Sequence, residues 1–536
     1  MNHGYGFETW EYSPDYAIRS WAYIGIHAAL TLPARLVPGA PKSIEFYSLR
    51  LVLGTVCAFC EAWLFTKISR TLNPRVGVIF MLILLTSPGM FHASVAYLPS
   101  SFAMYTAMLG TAQFMDWRGG ARTAQGIFWF GFGSALGWPF AGALILPFIG
   151  EELLLAFYTR SWSEILQRFV WGYTRVIIAA VFQFFTDLVF YRKYAFVPWN
   201  IIKYNVLAAR VGKGPNIYGV EPWHFYIRNL VLNFHIWFLL ALLALPAIYH
   251  QEFIRKRPTT KQSYIRMIAF TSPIYLWLTI FTLQPHKEER FMYPVYPLLA
   301  FNAAIAVHLL LAWLGSGSTR GLASTTPKLR LAAVGLILAG TVIVSVLRVI
   351  GIATAYDAPL KIYKPLHEPG VTRPGETVCL GKEWYRFPSH YHLPDGIKGK
   401  FIKSEFSGLM PGEFSEAGTG FGLFPGAWLV PPGMNDANIE DPGKYVSGRI
   451  LVIWLDTDER RSMLRTATFL WTPRCHRCNR RNSSRSTSMI PRLGSRYGAS
   501  HSLIRPVRIS SVVSCVCLTG QSYQRYTVAN GAATVY

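Results

Sequence analysis

The chain has 536 residues, of which 51% are hydrophobic and only 15% are charged. That charge content lies well below the roughly 25% of soluble domains. With apolar runs of about 20 residues recurring along the chain, it excludes an ordinary water-soluble protein and predicts a polytopic membrane protein. The net charge of +24 would suggest nucleic acid in a soluble protein. Here the basic residues fall in short loops and in the tail, where orientation signals and lipid headgroups account for them, so membrane lipids and no nucleic acid are expected as partners.

Met1 opens onto a polar, aromatic segment without the apolar stretch of a cleavable signal peptide. Residues 1–45 carry Glu8, Glu11, Asp15, Arg19 and several prolines. They read as a loop with a short interfacial helix around 17–30. Ten candidate spans follow, at 46–66, 77–96, 98–115, 124–140, 141–158, 170–191, 229–248, 264–283, 291–314 and 331–354. The stretch 124–158 also fits short helices or a re-entrant hairpin, because Gly131, Gly133, Gly137, Pro139 and Gly142 interrupt it. Cys57 and Cys60 lie within the first span as ordinary buried thiols, and the seven cysteines form no disulfide framework.

Alternate threading of the spans puts every basic loop on one face. Lys67, Arg70 and Arg75 follow the first span, Arg118 and Arg122 the third, and Arg160 and Arg168 the fifth. Arg255, Lys256, Arg257 and Lys261 follow the seventh, and Arg320, Lys328 and Arg330 the ninth. By the positive-inside rule that face is cytosolic. The opposite face, luminal if the membrane is that of the endoplasmic reticulum, receives residues 1–45, loop 192–228, loop 284–290 and everything after 355.

His286-Lys287-Glu288-Glu289-Arg290 stands out on that second face. Five ionisable residues in a row join two apolar runs, and charge at a membrane edge is costly unless paired or wet. The cluster is either a functional site or a solvated loop that caps two helices. Loop 192–228 ends in Tyr218-Gly219-Val220-Glu221-Pro222-Trp223-His224-Phe225-Tyr226 and reads either as an interfacial helix or as a substrate-contacting loop. Residues 355–446 form a small soluble segment of α/β-like character, with a strand-like run at 376–380. Residues 447–536 differ again: fourteen arginines, no lysine and no acidic residue after Glu459. No helical or strand periodicity persists there, so a disordered or out-of-family tail is expected. Cys475-His476-Arg477-Cys478 has metal-like spacing but no second pair, too little for a zinc site.

Three elements on the one face, taken in order, resemble glycosyltransferase family 22. They are Gly6-Phe7-Glu8-Thr9-Trp10-Glu11-Tyr12-Ser13-Pro14 continuing to Ser20, the string Tyr218 to Tyr226, and His286 to Phe291 followed by Tyr293-Pro294. Three further motifs are similar to the family's dolichyl-phosphate-mannose-dependent alpha-1,2-mannosyltransferase branch of N-glycan precursor assembly. These are Gly381-Lys382-Glu383-Trp384-Tyr385-Arg386, Phe401-Ile402-Lys403-Ser404-Glu405-Phe406 and Pro432-Gly433-Met434-Asn435-Asp436. The resemblance covers about residues 4–446. It implies an all-α membrane bundle of GT-C type with a luminal active site, in the endoplasmic reticulum membrane. It further implies mannose transfer from dolichyl-phosphate mannose to a dolichyl-diphosphate-linked oligosaccharide. Family members open with a further span and an acidic luminal motif that holds the aspartate assigned to catalysis. The resemblance therefore implies that this chain starts after that point, with the family base upstream of Met1.

The resemblance implies inversion at the sugar carbon, which calls for a carboxylate as general base on the acceptor hydroxyl. A monophosphate leaving group can be stabilised by Arg, Lys or His in place of a metal, so no metal or other cofactor is expected. His286, Lys287 and Arg290 are the candidates for the donor phosphate. Glu288 and Glu289 either orient these cations or bind acceptor hydroxyls, unless one simply pairs with Arg290 to hold the loop. Glu11 is the acidic candidate for the base, against a structural capping role. Tyr218, Glu221 and His224 fall in the family's second motif. Trp10, Trp223 and Tyr226 either stack on sugar faces or anchor at the interface. Two other functions remain: a sister mannosyltransferase of glycosylphosphatidylinositol assembly, and a polytopic transporter or non-catalytic scaffold.

Overall fold

The computed structural model describes residues 9–14, 16–116, 120–208, 214–254, 260–315, 326–380 and 386–401. It also describes short strands at 415–416, 428–429, 450–455, 467–468, 513–519, 522–529 and 532–535. Chain contacts divide it into two units, Met1–Ala358 with Ser407–Ala437, and Pro359–Phe406 with Asn438–Tyr536.

The first unit is helical. A 3-10 turn at Trp10–Tyr12 precedes α1 (Trp21–Arg35), a helix where a short one was expected at 17–30. There follow α2 (Ser43–Thr71), α3 (Pro74–Thr86), α4 (Pro88–Ala93), α5 (Pro99–Met115), α6 (Gly120–Phe132), α7 (Leu146–Thr159), α8 (Trp162–Tyr191) and α9 (Val197–Ile202). The series continues with α10 (Phe225–Phe234), α11 (Ile236–Leu242), α12 (Ala244–Tyr249), α13 (Lys261–Thr271), α14 (Pro273–Thr282), α15 (Tyr296–Gly315) and α16 (Pro327–Ala355). Helix starts follow the sequence. Asn73 accepts a hydrogen bond from the Arg75 amide with Pro74 in the first turn, and Thr326 caps α16 in the same way from Leu329.

Six helical stretches are long and apolar enough to cross a membrane: Ser43–Thr71, Pro139–Thr159, Trp162–Tyr191, Lys261–Thr282, Glu289–Leu314 and Lys328–Lys361. The α10–α11 pair makes a seventh if counted as one bent span. Ten separate spans are not found among the described residues, and backbone chemistry explains the difference. The run expected at 77–96 breaks at Ser87-Pro88 into α3 and α4. That at 98–115 is a 17-residue helix, buried along most of its length. The run at 124–140 leaves the α-helix at Gly133, passing through a π turn at Gly133–Gly137 and a 3-10 stretch at Pro139–Ile145. The run at 229–248 turns through 118° at His235, whose φ of 48° is left-handed.

Burial sorts the helices into layers. The Glu289–Leu314 span is 67% buried and forms the centre of the bundle, with Tyr296, Leu299, Ala300 and Ala303 fully enclosed. The spans Trp162–Tyr191 and Lys328–Lys361 are only 11% buried and present apolar side chains outward, as lipid-facing helices do. Close helix contact on this outer side depends on glycine: a Cβ at Gly172 would lie 2.8 Å from Ile127, and one at Gly131 would run into Val176, so α6 and α8 meet almost backbone to backbone.

The second unit is built on a four-stranded sheet in the order β2-β1-β5-β6, from β1 (Thr377–Leu380), β2 (Lys398–Phe401), β5 (Ile450–Leu455) and β6 (Ala467–Thr468). β1 is the strand expected at 376–380. It runs parallel to β2, with Thr377 opposite Lys398, and parallel to β5, with Thr377 opposite Ile450. The remaining strands are β3 (Ser415–Glu416) and β4 (Trp428–Leu429), which pair within the first unit, and β7 (Val513–Thr519), β8 (Ser522–Ala529) and β9 (Ala532–Val535), which form an antiparallel meander. Strands therefore do occur in 447–536. β5 escapes a search for alternation because Ile450-Leu451-Val452-Ile453-Trp454-Leu455 is a continuous apolar run, the pattern of a parallel strand covered on both faces. Cys475 to Cys478, Glu8, Asp15, Gly381 to Tyr385, 402–406 and 432–436 lie outside the described residues.

Candidate active site

The 284–290 loop leaves α14 at Thr282 and re-enters helix through a 3-10 turn at Glu289–Val295. Three hydrogen bonds stitch it to the 219–221 segment. The Glu221 amide donates to the Pro285 carbonyl at 3.0 Å, His286 Nδ1 to the Gly219 carbonyl at 2.8 Å and Lys287 Nζ to the Glu221 carbonyl at 2.8 Å. The two strings that look unrelated in sequence are one piece of structure.

The ring nitrogens of His286 both face acceptors, the Gly219 carbonyl at Nδ1 and Glu288 Oε1 at 3.0 Å from Nε2. Only the imidazolium donates at both positions. Burial works against that charge, but the bonds to Glu288 and Gly219 outweigh it and raise the pKa. Glu288 is the hub of the cluster. Beyond His286 it takes Arg290 Nη2 at 2.7 Å on Oε1 and Arg290 Nε at 2.6 Å on Oε2, a two-pronged guanidinium–carboxylate pair. Burial opposes its ionisation, yet His286 and Arg290 together bring the carboxyl down to about 2.

Adjacent side chains in the loop take opposite directions. Lys287 is 6% exposed and is held between the carbonyls of Glu221 and Gln284. It braces the loop from inside and does not line the cavity. Glu289 turns to the far side, where His92 Nε2 lies 2.6 Å and Asn233 Nδ2 2.9 Å from Oε1.

Opposite Glu288 and Arg290 stands a second pair from the first loop. Arg19 donates Nη2 to Glu11 Oε1 at 2.7 Å and Nε to Oε2 at 3.2 Å. The fold holds Arg19 firmly. Tyr191 Oη donates to the Arg19 carbonyl at 2.5 Å, and Asp187 Oδ1 accepts from Ser20 Oγ at 3.0 Å and from the Trp21 amide at 2.7 Å, fixing the start of α1 on the end of α8. The two ion pairs, with His286, line one cavity of about 100 Å³, walled by Trp10, Trp138, Tyr204, Tyr218 and Phe291. Trp10 is locked by Tyr16 at 4.7 Å and Tyr204 at 5.1 Å between ring centroids. Each pair leaves the Nη1 edge of its guanidinium unused by these bonds, so the cavity offers planar cationic donors to an anion without first breaking a pair.

Of the residues singled out from sequence, Trp10, Glu11, Tyr218, His286, Glu288 and Arg290 meet at this cavity. Glu221 contributes its backbone and has an exposed side chain, Trp223 is 67% exposed, His224 is half-buried and Tyr226 sits in the core. Arg19, His92, Asn233 and Tyr204 were not anticipated. Arg19 carried a signal, a lone cation among the acids and aromatics of the first loop. His92 and Asn233 carried none, being single polar residues in apolar runs. Among the described residues no group of three or more His, Cys, Asp or Glu is placed to hold a metal ion.

The profile of the Alg9-like mannosyltransferase family matches residues 1–394. The chain belongs to that family. It is a glycosyltransferase, and its relatives carry matching names. An alpha-1,2-mannosyltransferase alg9 of Schizosaccharomyces pombe is 37% identical over 83% of this chain and 76% of its own length. Its Homo sapiens namesake is 36% identical over 83% and 71%. A GPI mannosyltransferase 3 of Candida albicans is a thinner match, 24% identical over 56% and 55%.

Proposed function

We propose that this cavity transfers mannose in alpha-1,2 linkage from dolichyl-phosphate mannose to a dolichyl-diphosphate-linked oligosaccharide during N-glycan precursor assembly. In this reading it does so at the luminal face of the endoplasmic reticulum membrane, in a GT-C bundle. The observation that carries the reading is the meeting of Arg19, His286 and Arg290 at one aromatic-walled cavity, in a chain of this family. The monophosphate of the donor would sit against the free guanidinium edges and the imidazolium, which neutralise charge as the phosphate leaves the sugar. Trp10 and Tyr218 would take the apolar face of a sugar ring. Lys67 and Arg122 on Asp116, at the end of α5 away from the cavity, and Arg168 on Glu152 gather basic residues at the opposite end of the bundle, which supports the luminal orientation.

The acceptor hydroxyl must give up its proton as its oxygen bonds to the mannose carbon. Of the two carboxylates at the cavity, Glu288 is held near pH 2 by three donors and is the poorer base. Glu11, whose carboxylate is bound among the described residues by Arg19 alone, is the base in this reading. The larger likeness to alpha-1,2-mannosyltransferases favours this function over a GPI mannosyltransferase.

The test is a membrane preparation of the chain given dolichyl-phosphate mannose and a lipid-linked oligosaccharide acceptor. Mannose should be added in a form that an alpha-1,2-mannosidase removes. Arg290→Ala should suppress transfer, and Glu11→Gln should lower the rate by roughly two to four decades, the range for loss of a general base. No mannosidase-sensitive product, or full activity in Arg290→Ala, would refute the proposal. Full activity in Glu11→Gln would remove Glu11 from the role of base.

A further inference from the structure

A second cavity, of about 870 Å³, lies away from the transfer site between α1, α5, α6 and α8. Its walls are apolar and aromatic, including Phe128, Trp129, Phe132 and Phe182, with Arg175 and Gln113 among the few polar lining residues. Arg175 has no ion pair or hydrogen bond among the described residues. Gln113 is 8% exposed, and its Oε1 meets no donor among them.

The depth of Arg175 can be placed from its own helix. α8 has 30 residues, about 45 Å, against a hydrocarbon thickness of roughly 30 Å. Asp187 near its far end is tied to the start of α1, beside the cavity at loop 284–290, and that loop joins two apolar spans and so marks one membrane face. About 20 residues are needed to reach the other face, which puts Arg175 roughly 10 Å inside it. An unpaired guanidinium there is costly, and its side chain reaches toward the nearer headgroups. That nearer face gathers basic residues, with Arg168 on Glu152, which Thr123 also reaches, and Lys67 and Arg122 sharing Asp116. The packing of Gly172 on Ile127 and Gly131 on Val176 sets Arg175 within two turns of Gln125, which lines the same groove.

We propose that this groove binds an anionic glycerophospholipid from the leaflet on the basic-loop face. The lipid phosphate pairs with Arg175, headgroup hydroxyls donate to Gln113, and one acyl chain runs along Phe128, Phe132 and Phe182. Charge complementarity selects an anion, and the apolar length beyond Arg175 selects a chain-bearing one over free phosphate.

The experiment titrates the full chain, purified in detergent, with phosphatidylinositol, phosphatidylcholine or inorganic phosphate and reads bound lipid by native mass spectrometry. Phosphatidylinositol should be retained in preference to phosphatidylcholine, and inorganic phosphate should not displace it. Arg175→Gln should weaken retention about tenfold or more, as expected for loss of a charge-assisted contact. Ala179→Trp, which fills the groove on a lipid-facing wall, should do the same, with unchanged circular dichroism in both variants. Arg168→Gln should bind as the parent does, since Arg168 lies on the same helix but pairs with Glu164 at 3.3 Å and Glu152 at 3.7 Å. Equal retention of phosphatidylcholine, parent-like binding in both groove variants, displacement by inorganic phosphate, or preference for dolichyl phosphate over phosphatidylinositol would each overturn the proposal.

Discussion

Replacing Glu288 by Gln is the sharpest single perturbation of the proposed transfer site. The substitution keeps the shape but removes the charge that three donors share, and it turns an amide NH2 toward one of them. Bringing the Glu288 carboxyl from 4.5 down to about 2 corresponds to ~3 kcal/mol at 1.36 kcal/mol per tenfold change in proton affinity. A third of the side chain is exposed, so solvent screening lowers the expected loss to about 2 kcal/mol. The pH dependence follows in sign. A depressed carboxyl stabilises the fold above pH 4.5 and loses that contribution as pH falls toward 2. The raised His286 stabilises it below its ordinary value of 6.5 and loses that contribution as pH rises through its folded value. The loop is therefore held most tightly between about pH 4.5 and 6.5. In Glu288→Gln the imidazolium loses its carboxylate, so the alkaline limb of the transfer rate should move to lower pH. Rate–pH profiles and thermal unfolding of the solubilised protein, parent against variant, measure both effects. An alkaline limb that stays in place, with unchanged unfolding temperature at pH 6, would refute this account of the cluster.

His92→Ala should leave Glu289 with Asn233 as its remaining partner among these bonds. It should lower stability by about 1–3 kcal/mol while changing KM less than kcat, as read from unfolding and initial rates. Asp187→Ala removes the acceptor of the Ser20 hydroxyl and the Trp21 amide, and should cost about 2 kcal/mol and loosen α1, detectable as faster proteolysis within residues 9–35. Glycosylation acceptor sequences inserted at 210 and at 255 should be modified and unmodified respectively, and the reverse pattern would overturn the orientation.

The membrane character and the three strings that build the site were legible in the sequence because their charges interrupt apolar runs. What the strings do to one another was not. The bond from His286 to Gly219 joins residues 67 positions apart, and no local pattern announces it. The division of labour within the cluster was equally hidden, since sequence shows five charges but not that Lys287 turns onto carbonyls while Glu289 turns to His92. The span count failed where backbone breaks are weakly signalled. Pro88 is plain in the sequence, but the 118° bend falls at His235, a residue without glycine's freedom and with no proline beside it. Asp187 and Arg175 were passed over because hydropathy averages a lone polar residue into its apolar surroundings.

The alternation along His286, Lys287, Glu288 and Glu289 makes the loop intolerant of a change in length more than of a change in chemistry. A substitution removes one contact and leaves its neighbours aimed as before. A deletion or insertion of one residue would rotate every later side chain by a step, delivering Glu289 to the cavity or Lys287 to the seat of Glu288, while the chain on both sides stays anchored in helix. Redesign of the proposed site therefore has room in side-chain identity at the cavity wall, and none in residue count between Thr282 and Tyr296.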